Sequence, residues 1–128
     1  MQEILNNVNF NPQTWVMLYA LVIDLVTGVG SAIVHHRLKS KTFRDGLIQH
    51  FMIAVIVVSL NSMTNAQLDD SSHAALSTLY TLFVTGFTLT YAISVVENLD
   101  QMGIKVPQAI TKYLANSTGG EKDENKDN

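Results

Sequence analysis

One aspartate lies inside an apolar segment that otherwise carries no charge. Asp24 stands at the centre of the run from Thr14 to Val34, and the other long apolar runs contain no lysine or arginine to pair with it. A charged aspartate at the centre of a membrane helix costs roughly 2.5–3.5 kcal/mol. The carboxyl must therefore be protonated, hydrogen-bonded to hydroxyl or amide groups, or in contact with water. Two interpretations remain open: a neutral acid that stabilises a helix bundle, or a residue that lines an aqueous path.

The other residues that commonly act in catalysis or metal binding do not form a recognisable site in the sequence. The chain has no cysteine, which excludes disulfides and thiolate metal sites. His35 and His36 are adjacent and so point to different faces of a helix, while His50 and His73 are isolated in the sequence. No glycine-rich phosphate loop and no nucleophile motif is present. The sequence therefore predicts a protein that is not an enzyme and has no cofactor or metal, and the net charge of −3 argues against a nucleic-acid partner.

Three long apolar runs organise the chain, at residues 14–34, 47–63 and 74–96. An α-helix rises about 1.5 Å per residue, so about 20 apolar residues cross the roughly 30 Å hydrocarbon core of a bilayer. The middle run is near the lower limit of about 17 residues, and polar residues stand at both of its ends. We predict an all-α integral membrane protein with three transmembrane helices, built as a single membrane domain over residues 1–115.

Basic residues cluster in one loop, directly after the first run. They are Arg37, Lys39, Lys41 and Arg44. The loop over residues 61–73 carries no lysine or arginine, and neither does the segment before Trp15. Short loops rich in lysine and arginine stay in the cytoplasm. We therefore predict a multi-pass protein of the cytoplasmic membrane, with its N-terminus outside and its C-terminus in the cytoplasm.

The segment after the third run consists of two parts, a short predicted helix and a charged tail. Pro107 can open a helix, and a short helix over 107–115 would place three apolar side chains on one face. They are Ile110, Tyr113 and Leu114. Such a helix suits the membrane surface, so we predict an interfacial C-terminal helix. Residues 116–128 contain no apolar side chain, which predicts a disordered charged tail.

Two of the spans carry faces of small or hydroxyl-bearing residues. The small-residue face of the first span consists of Ala20, Asp24, Thr27, Gly28, Ser31 and Ala32, and the threonine face of the third consists of Thr78, Thr81, Thr85 and Thr88. Small residues let membrane helices approach closely, although such residues are common in spans and threonine often bonds back to its own helix. We predict that both faces form an oligomer interface or line a membrane lesion.

A set of short motifs follows in order along the chain. The motifs are Asp24-Leu-Val-Thr-Gly28 in the first run, Ser40-Lys41 and Gly46 in the basic loop, Ile93-Ser-Val-Val-Glu-Asn-Leu99 at the end of the third run, and Met102-Gly-Ile-Lys-Val-Pro107 after it. In order and spacing they resemble the phage lysis and toxin-secretion holin family. The resemblance covers roughly residues 16–114.

This resemblance implies a holin. Such a protein oligomerises in the bacterial cytoplasmic membrane of the host and opens lesions that release an endolysin, with lysis of the host cell, or a toxin. Its partners would be other copies of itself and the bilayer, and the endolysin would need no direct contact with it. Two other functions remain as alternatives: a small proton-coupled transporter that uses Asp24, and a structural membrane subunit whose small-residue faces serve packing alone.

Overall fold

The computed structural model describes residues 9–117. This part of the chain contains no strand and four helices: α1 Pro12–Val34, α2 Lys41–Thr64, α3 Asp70–Gln101 and α4 Gln108–Ser117. The first three helices are long and apolar enough to cross a membrane. The predicted all-α membrane class and the three transmembrane helices are thereby confirmed. The side of the membrane on which each terminus lies stays a prediction.

The helices extend beyond the apolar runs that predicted them. The middle helix begins at Lys41, ahead of its apolar run, because the Ser40 side chain accepts a hydrogen bond from the Phe43 amide at 3.1 Å. The last helix includes Asn116 and Ser117, which the sequence assigned to the charged tail. The rest of that predicted tail, residues 118–128, lies outside the described residues. The single membrane domain over 1–115 also stays a prediction.

An aspartate cap starts the third helix. The Asp69 carboxylate accepts hydrogen bonds from the Ser71 hydroxyl at 2.7 Å and from the Ser72 amide at 3.1 Å. These bonds, that of Ser71 first, hold the pKa of the Asp69 carboxyl well below its usual range. The carboxylate therefore stays ionised at ordinary pH and satisfies an amide that has no partner within the helix.

Two left-handed residues end the first and third helices. His36 has φ 53° and Gly103 has φ 80°, and each follows its helix at the position where such a conformation closes the last turn. After α1 the Arg37 amide donates back to the Ala32 carbonyl at 2.8 Å. This turn reverses the chain direction within a few residues, so that α2 returns beside α1.

The pair of helices α1 and α3 forms the main packing contact of the bundle. These two helices run in the same direction, while α2 has fewer contacts with either of them. The buried apolar core comprises Met17, Leu21, Val57, Tyr80, Val84 and Tyr91. Most of the remaining large apolar side chains of the spans are exposed in the single chain, for example Val26 at 64% and Leu82 at 69%. A bilayer would cover such an apolar surface.

Candidate functional site

The carboxyl of Asp24 joins all three membrane helices. It is only 4% exposed. Its Oδ2 atom lies 2.7 Å from His50 Nε2 on α2, and its Oδ1 atom accepts a hydrogen bond from Asn98 Nδ2 on α3 at 3.1 Å. The same amide nitrogen lies 3.4 Å from the Thr27 hydroxyl. No partner for Asp24 was identified from the sequence. In the structure its partners are the imidazole of His50 and the side-chain amide of Asn98.

The other ring nitrogen of His50 determines how protons are arranged in this pair. His50 Nδ1 lies 2.7 Å from the Gly46 carbonyl oxygen, which can only accept. Nδ1 therefore carries a hydrogen. The contact between Nε2 and Asp24 Oδ2 then needs one further proton, held either by the carboxyl or by the imidazole. In both arrangements the pair has no net charge, which is the state that burial favours.

An aromatic side chain covers the His50 ring from α3. The rings of His50 and Tyr91 lie 5.3 Å apart between centroids, at 30° to each other. The Tyr91 ring continues a row with Phe87, at 6.2 Å, and then Phe83. The buried Tyr91 hydroxyl has no hydrogen-bond partner in the described part of the chain.

A cavity of about 470 Å³ leads from this pair to the basic loop. Its inner end is lined by Asp24 and His50, and its outer end by Arg37 and Ser40 of the loop. Asp24 lies ten residues before the end of α1, about 15 Å along the helix axis. The cavity therefore connects a buried carboxyl near the middle of the bundle with one end of it.

Polar side chains bridge α1 and α3 at the mouth of the cavity. The Ser31 hydroxyl donates to Gln101 Oε1 at 2.8 Å, and Arg37 Nη2 donates to the same oxygen at 2.9 Å. Ser31 is buried, whereas Arg37 and Gln101 are exposed. Arg37 therefore ties the basic loop to the end of α3.

A second buried polar cluster lies at the opposite end of the bundle. The Tyr80 hydroxyl donates to Thr14 Oγ1 at 2.7 Å, because the Thr14 hydroxyl in turn donates to Asn61 Oδ1 at 2.9 Å. Asn61 Oδ1 also accepts from the Asn11 amide at 3.0 Å, and its amide group donates to the Asn9 carbonyl at 3.3 Å. This cluster joins the three helices at the end remote from the basic loop.

The small-residue face of α1 packs inside the single chain. Asp24, Ser31 and Ala32 are buried, and the remaining three members are partly buried. A Cβ atom added at Gly28 would lie 3.6 Å from Asn98 Nδ2, and one at Gly30 would lie 3.0 Å from the Met102 sulfur. The small residues therefore allow α1 to approach α3 closely. Their predicted part in an oligomer interface or lesion stays a prediction.

The threonine face of α3 points away from the bundle. Thr78, Thr81 and Thr85 are exposed, and Thr88 is partly buried. The hydroxyls of Thr78 and Thr88 bond back to carbonyls of their own helix at 2.9 and 2.7 Å. Those of Thr81 and Thr85 have no hydrogen-bond partner within residues 9–117. The two predicted faces thus occupy different environments, one inside the chain and one on its surface.

The other basic loop residues are on the surface. Lys41 forms an exposed ion pair with Asp45 at 3.0 Å, one helical turn along α2. Lys39 and Arg44 are exposed as well. Within residues 9–117, no three histidine, cysteine or acidic side chains converge as a metal site would require.

His50 was not identified from the sequence as the partner of Asp24, although the spacing along the helices indicates it. Asp24 lies ten residues before the end of α1, and His50 lies nine residues after the start of α2. Two antiparallel helices joined by a short loop place residues equally far from that loop at the same depth. Asn98 carries no comparable signal, because its depth depends on how far the longer α3 projects beyond the bilayer.

Comparison with known proteins is consistent with this architecture. The sequence profile described as the bacteriophage holin family matches residues 8–118. The chain is also 28% identical, over 98 residues, to a probable holin of Bacillus phage phi105, an alignment that covers 77% of this chain and 68% of that protein. No solved structure matches the chain. With three helices able to cross a membrane and a family profile matched over most of its length, this multi-pass protein of the cytoplasmic membrane belongs to the bacteriophage holin family.

Proposed function

We propose that this chain assembles with copies of itself in the cytoplasmic membrane and opens a lesion that releases an endolysin, with lysis of the host cell, or a toxin. Family membership supports a holin role, and holins are generally membrane oligomers. The functional partners are then other copies of the chain and the bilayer. The endolysin needs no direct contact with the protein.

The exposed threonine face carries the proposal for assembly. The Thr81 and Thr85 hydroxyls face outward without a partner in the described chain. Beside them, Ser77, Thr78 and Leu82 help to line a shallow groove of about 290 Å³. Hydrogen bonds between membrane helices contribute about 0.6 kcal/mol each on average. A second copy would give these hydroxyls partners, and in a larger ring the same face could contact water.

Substitution of this face tests the proposal. We expect Thr81→Leu with Thr85→Leu to weaken crosslinked oligomer ladders in membranes and to delay lysis severalfold, because the change removes two hydroxyls and adds bulk. The matched control is Val22→Leu with Val26→Leu, which alters two exposed positions of α1 at the same spacing. The measurements are amine-reactive crosslinking and the time to lysis after induction together with an endolysin, at equal membrane protein level. Equal ladders and equal timing in both double variants would refute assembly through this face.

The basic loop supports a cytoplasmic location for the cavity mouth, with the N-terminus outside. Because the chain has no cysteine, single cysteines can be labelled without background. We expect an impermeant maleimide to label Gln67→Cys in intact spheroplasts, and Leu38→Cys only after the membrane is opened. Both positions are exposed in loops, and neither is a basic residue or a helix cap. Labelling of Leu38→Cys in intact spheroplasts would reverse the proposed orientation.

One observation favours the alternative of a proton-coupled transporter. A carboxyl and an imidazole that share a proton lie at the inner end of a cavity, which is an arrangement that can exchange protons with solvent. A transporter would show substrate-dependent proton flux in vesicles and no lysis on induction. Release of an encapsulated dye without any added substrate would instead favour the holin function.

A further inference from the structure

The Asp24–His50 pair is accessible to solvent from one end of the bundle. The cavity reaches the pair from the basic loop. Toward the other end, the buried core with Leu21, Val57 and Val84 closes the bundle, and the cluster around Asn61 follows it. Protons can therefore reach this pair through the cavity from the loop side, whereas apolar packing separates it from the opposite side.

The pair retains a close hydrogen bond only while it holds one shared proton. His50 Nδ1 keeps its hydrogen toward the Gly46 carbonyl. If the shared proton leaves to solvent through the cavity, Nε2 and Asp24 Oδ2 both become acceptors only, 2.7 Å apart. The products are a carboxylate and a neutral imidazole, so the pair changes from no net charge to one negative charge. Both the lost bond and the buried charge then oppose the contact between α1 and α2.

Among residues 9–117, the charged side chain that lines the cavity with this pair is Arg37 of the basic loop. From α3 the titratable side chain that faces His50 is Tyr91, which presents its ring. The cavity is otherwise lined from α3 by Ser94, Asn98 and Gln101, which are uncharged. Arg37 lies at the mouth, where Gln101 and Ser31 bind it. The helix that would be released is α2, which has the fewest contacts of the three membrane helices.

We propose that Asp24 and His50 form a single proton-binding site, filled from the basic-loop side, and that loss of its shared proton separates α2 from α1. The inference rests on the proposed function in one respect: separation of α2 would start the rearrangement from resting protein to open lesion. The regulating ligand is the proton itself, and the relevant pH is that of the compartment facing the basic loop.

The first test measures the distance between α1 and α2 in the full-length chain in phosphatidylethanolamine–phosphatidylglycerol vesicles. Spin labels at Ile33→Cys and Ile48→Cys occupy exposed positions on the loop side of the pair. We expect the distance distribution to shift to longer values from mildly acidic to alkaline buffer. With Asp24→Asn added, the distribution should not move. The asparagine amide donates to Nε2 and its oxygen accepts from Asn98, which reproduces the protonated pair without a removable proton.

Two controls test whether the pH-dependent distance change comes from the Asp24–His50 pair. Tyr91→Phe removes the nearest titratable group of α3 and should leave the pH response unchanged. Imidazole ¹⁵N spectra report on the unaltered Asp24–His50 pair. We expect His50 Nδ1, which lies against the Gly46 carbonyl, to keep its hydrogen while the Nε2 signal changes with pH. A pH-independent distance, an equal shift in Asp24→Asn, or a His50 ring that loses its hydrogen from Nδ1 would overturn the inference.

The access route and the link to function are tested separately. Spheroplasts and inverted vesicles expose opposite faces, and a pH change in the external buffer should act only where the basic loop faces that buffer. An equal response from both sides would refute one-sided access. Dye release is measured in parallel. If dye is released without any pH-dependent distance change, the proton site is wrong and the proposed function stands. If the distance responds but no dye is ever released, the proposed function is wrong.

Discussion

Replacement of His50 by leucine is expected to lower the free energy of unfolding by about 1–3 kcal/mol, the usual cost of leaving a buried polar group without its partner. The leucine removes both bonds of the imidazole, to Asp24 Oδ2 and to the Gly46 carbonyl. The carboxyl then remains 4% exposed with only the Asn98 amide as a partner. The measurement is unfolding of the full-length protein by dodecyl sulfate in mixed micelles.

A double-mutant cycle separates this effect from a simple loss of packing. Replacing both members of a buried pair by apolar residues is often nearly neutral, whereas removing one member is costly. We therefore expect Asp24→Leu with His50→Leu to be less destabilised than the sum of the two single variants. Strict additivity would mean that the two side chains act independently, and that their 2.7 Å contact contributes nothing to stability.

Asn61→Leu is the second substitution with a large expected effect, again about 1–3 kcal/mol for the buried polar groups that it leaves unpaired. Asn61 is 1% exposed. Its oxygen accepts from the Asn11 amide and from the Thr14 hydroxyl. Leucine keeps a similar volume but offers no acceptor, so the start of α1 loses its connection to the end of α2. The same dodecyl sulfate titration measures the loss.

The control for this prediction lies one turn along the same helix. Thr64 is also buried, but its hydroxyl donates only to the Asn61 carbonyl of its own helix at 2.8 Å. We expect Thr64→Val to cost clearly less, because valine preserves the shape and no bond between helices is lost. Equal effects of the two substitutions would indicate that the Asn61 network contributes no more than a local hydroxyl bond.

The membrane helices could be predicted from the sequence because a run of about 20 apolar residues with few charges is long enough to cross a bilayer. The sequence also indicated that Asp24 needs a partner, since a carboxyl in such a run is costly. The sequence did not identify Asn98 as a partner, because Asn98 is 74 residues away from Asp24. Only the packing of α3 against α1 brings the two side chains together. The same packing places the small-residue face inside the chain and leaves the threonine face outside. The periodicity of residue types along a helix identifies a face, but it does not indicate whether another helix, lipid or water covers that face.

The spacing of the three residues around the carboxyl also has a consequence for biosynthesis. His50 follows Asp24 by 26 residues and Asn98 follows it by 74. At translation rates of about 5–20 residues per second, the histidine is made about 1–5 s after the aspartate and the asparagine about 4–15 s after it. A nascent chain that ends before α3 therefore already contains the group that shares a proton with Asp24. The first two helices can enter the bilayer as a hairpin whose Asp24–His50 pair has no net charge, and α3 docks onto it later.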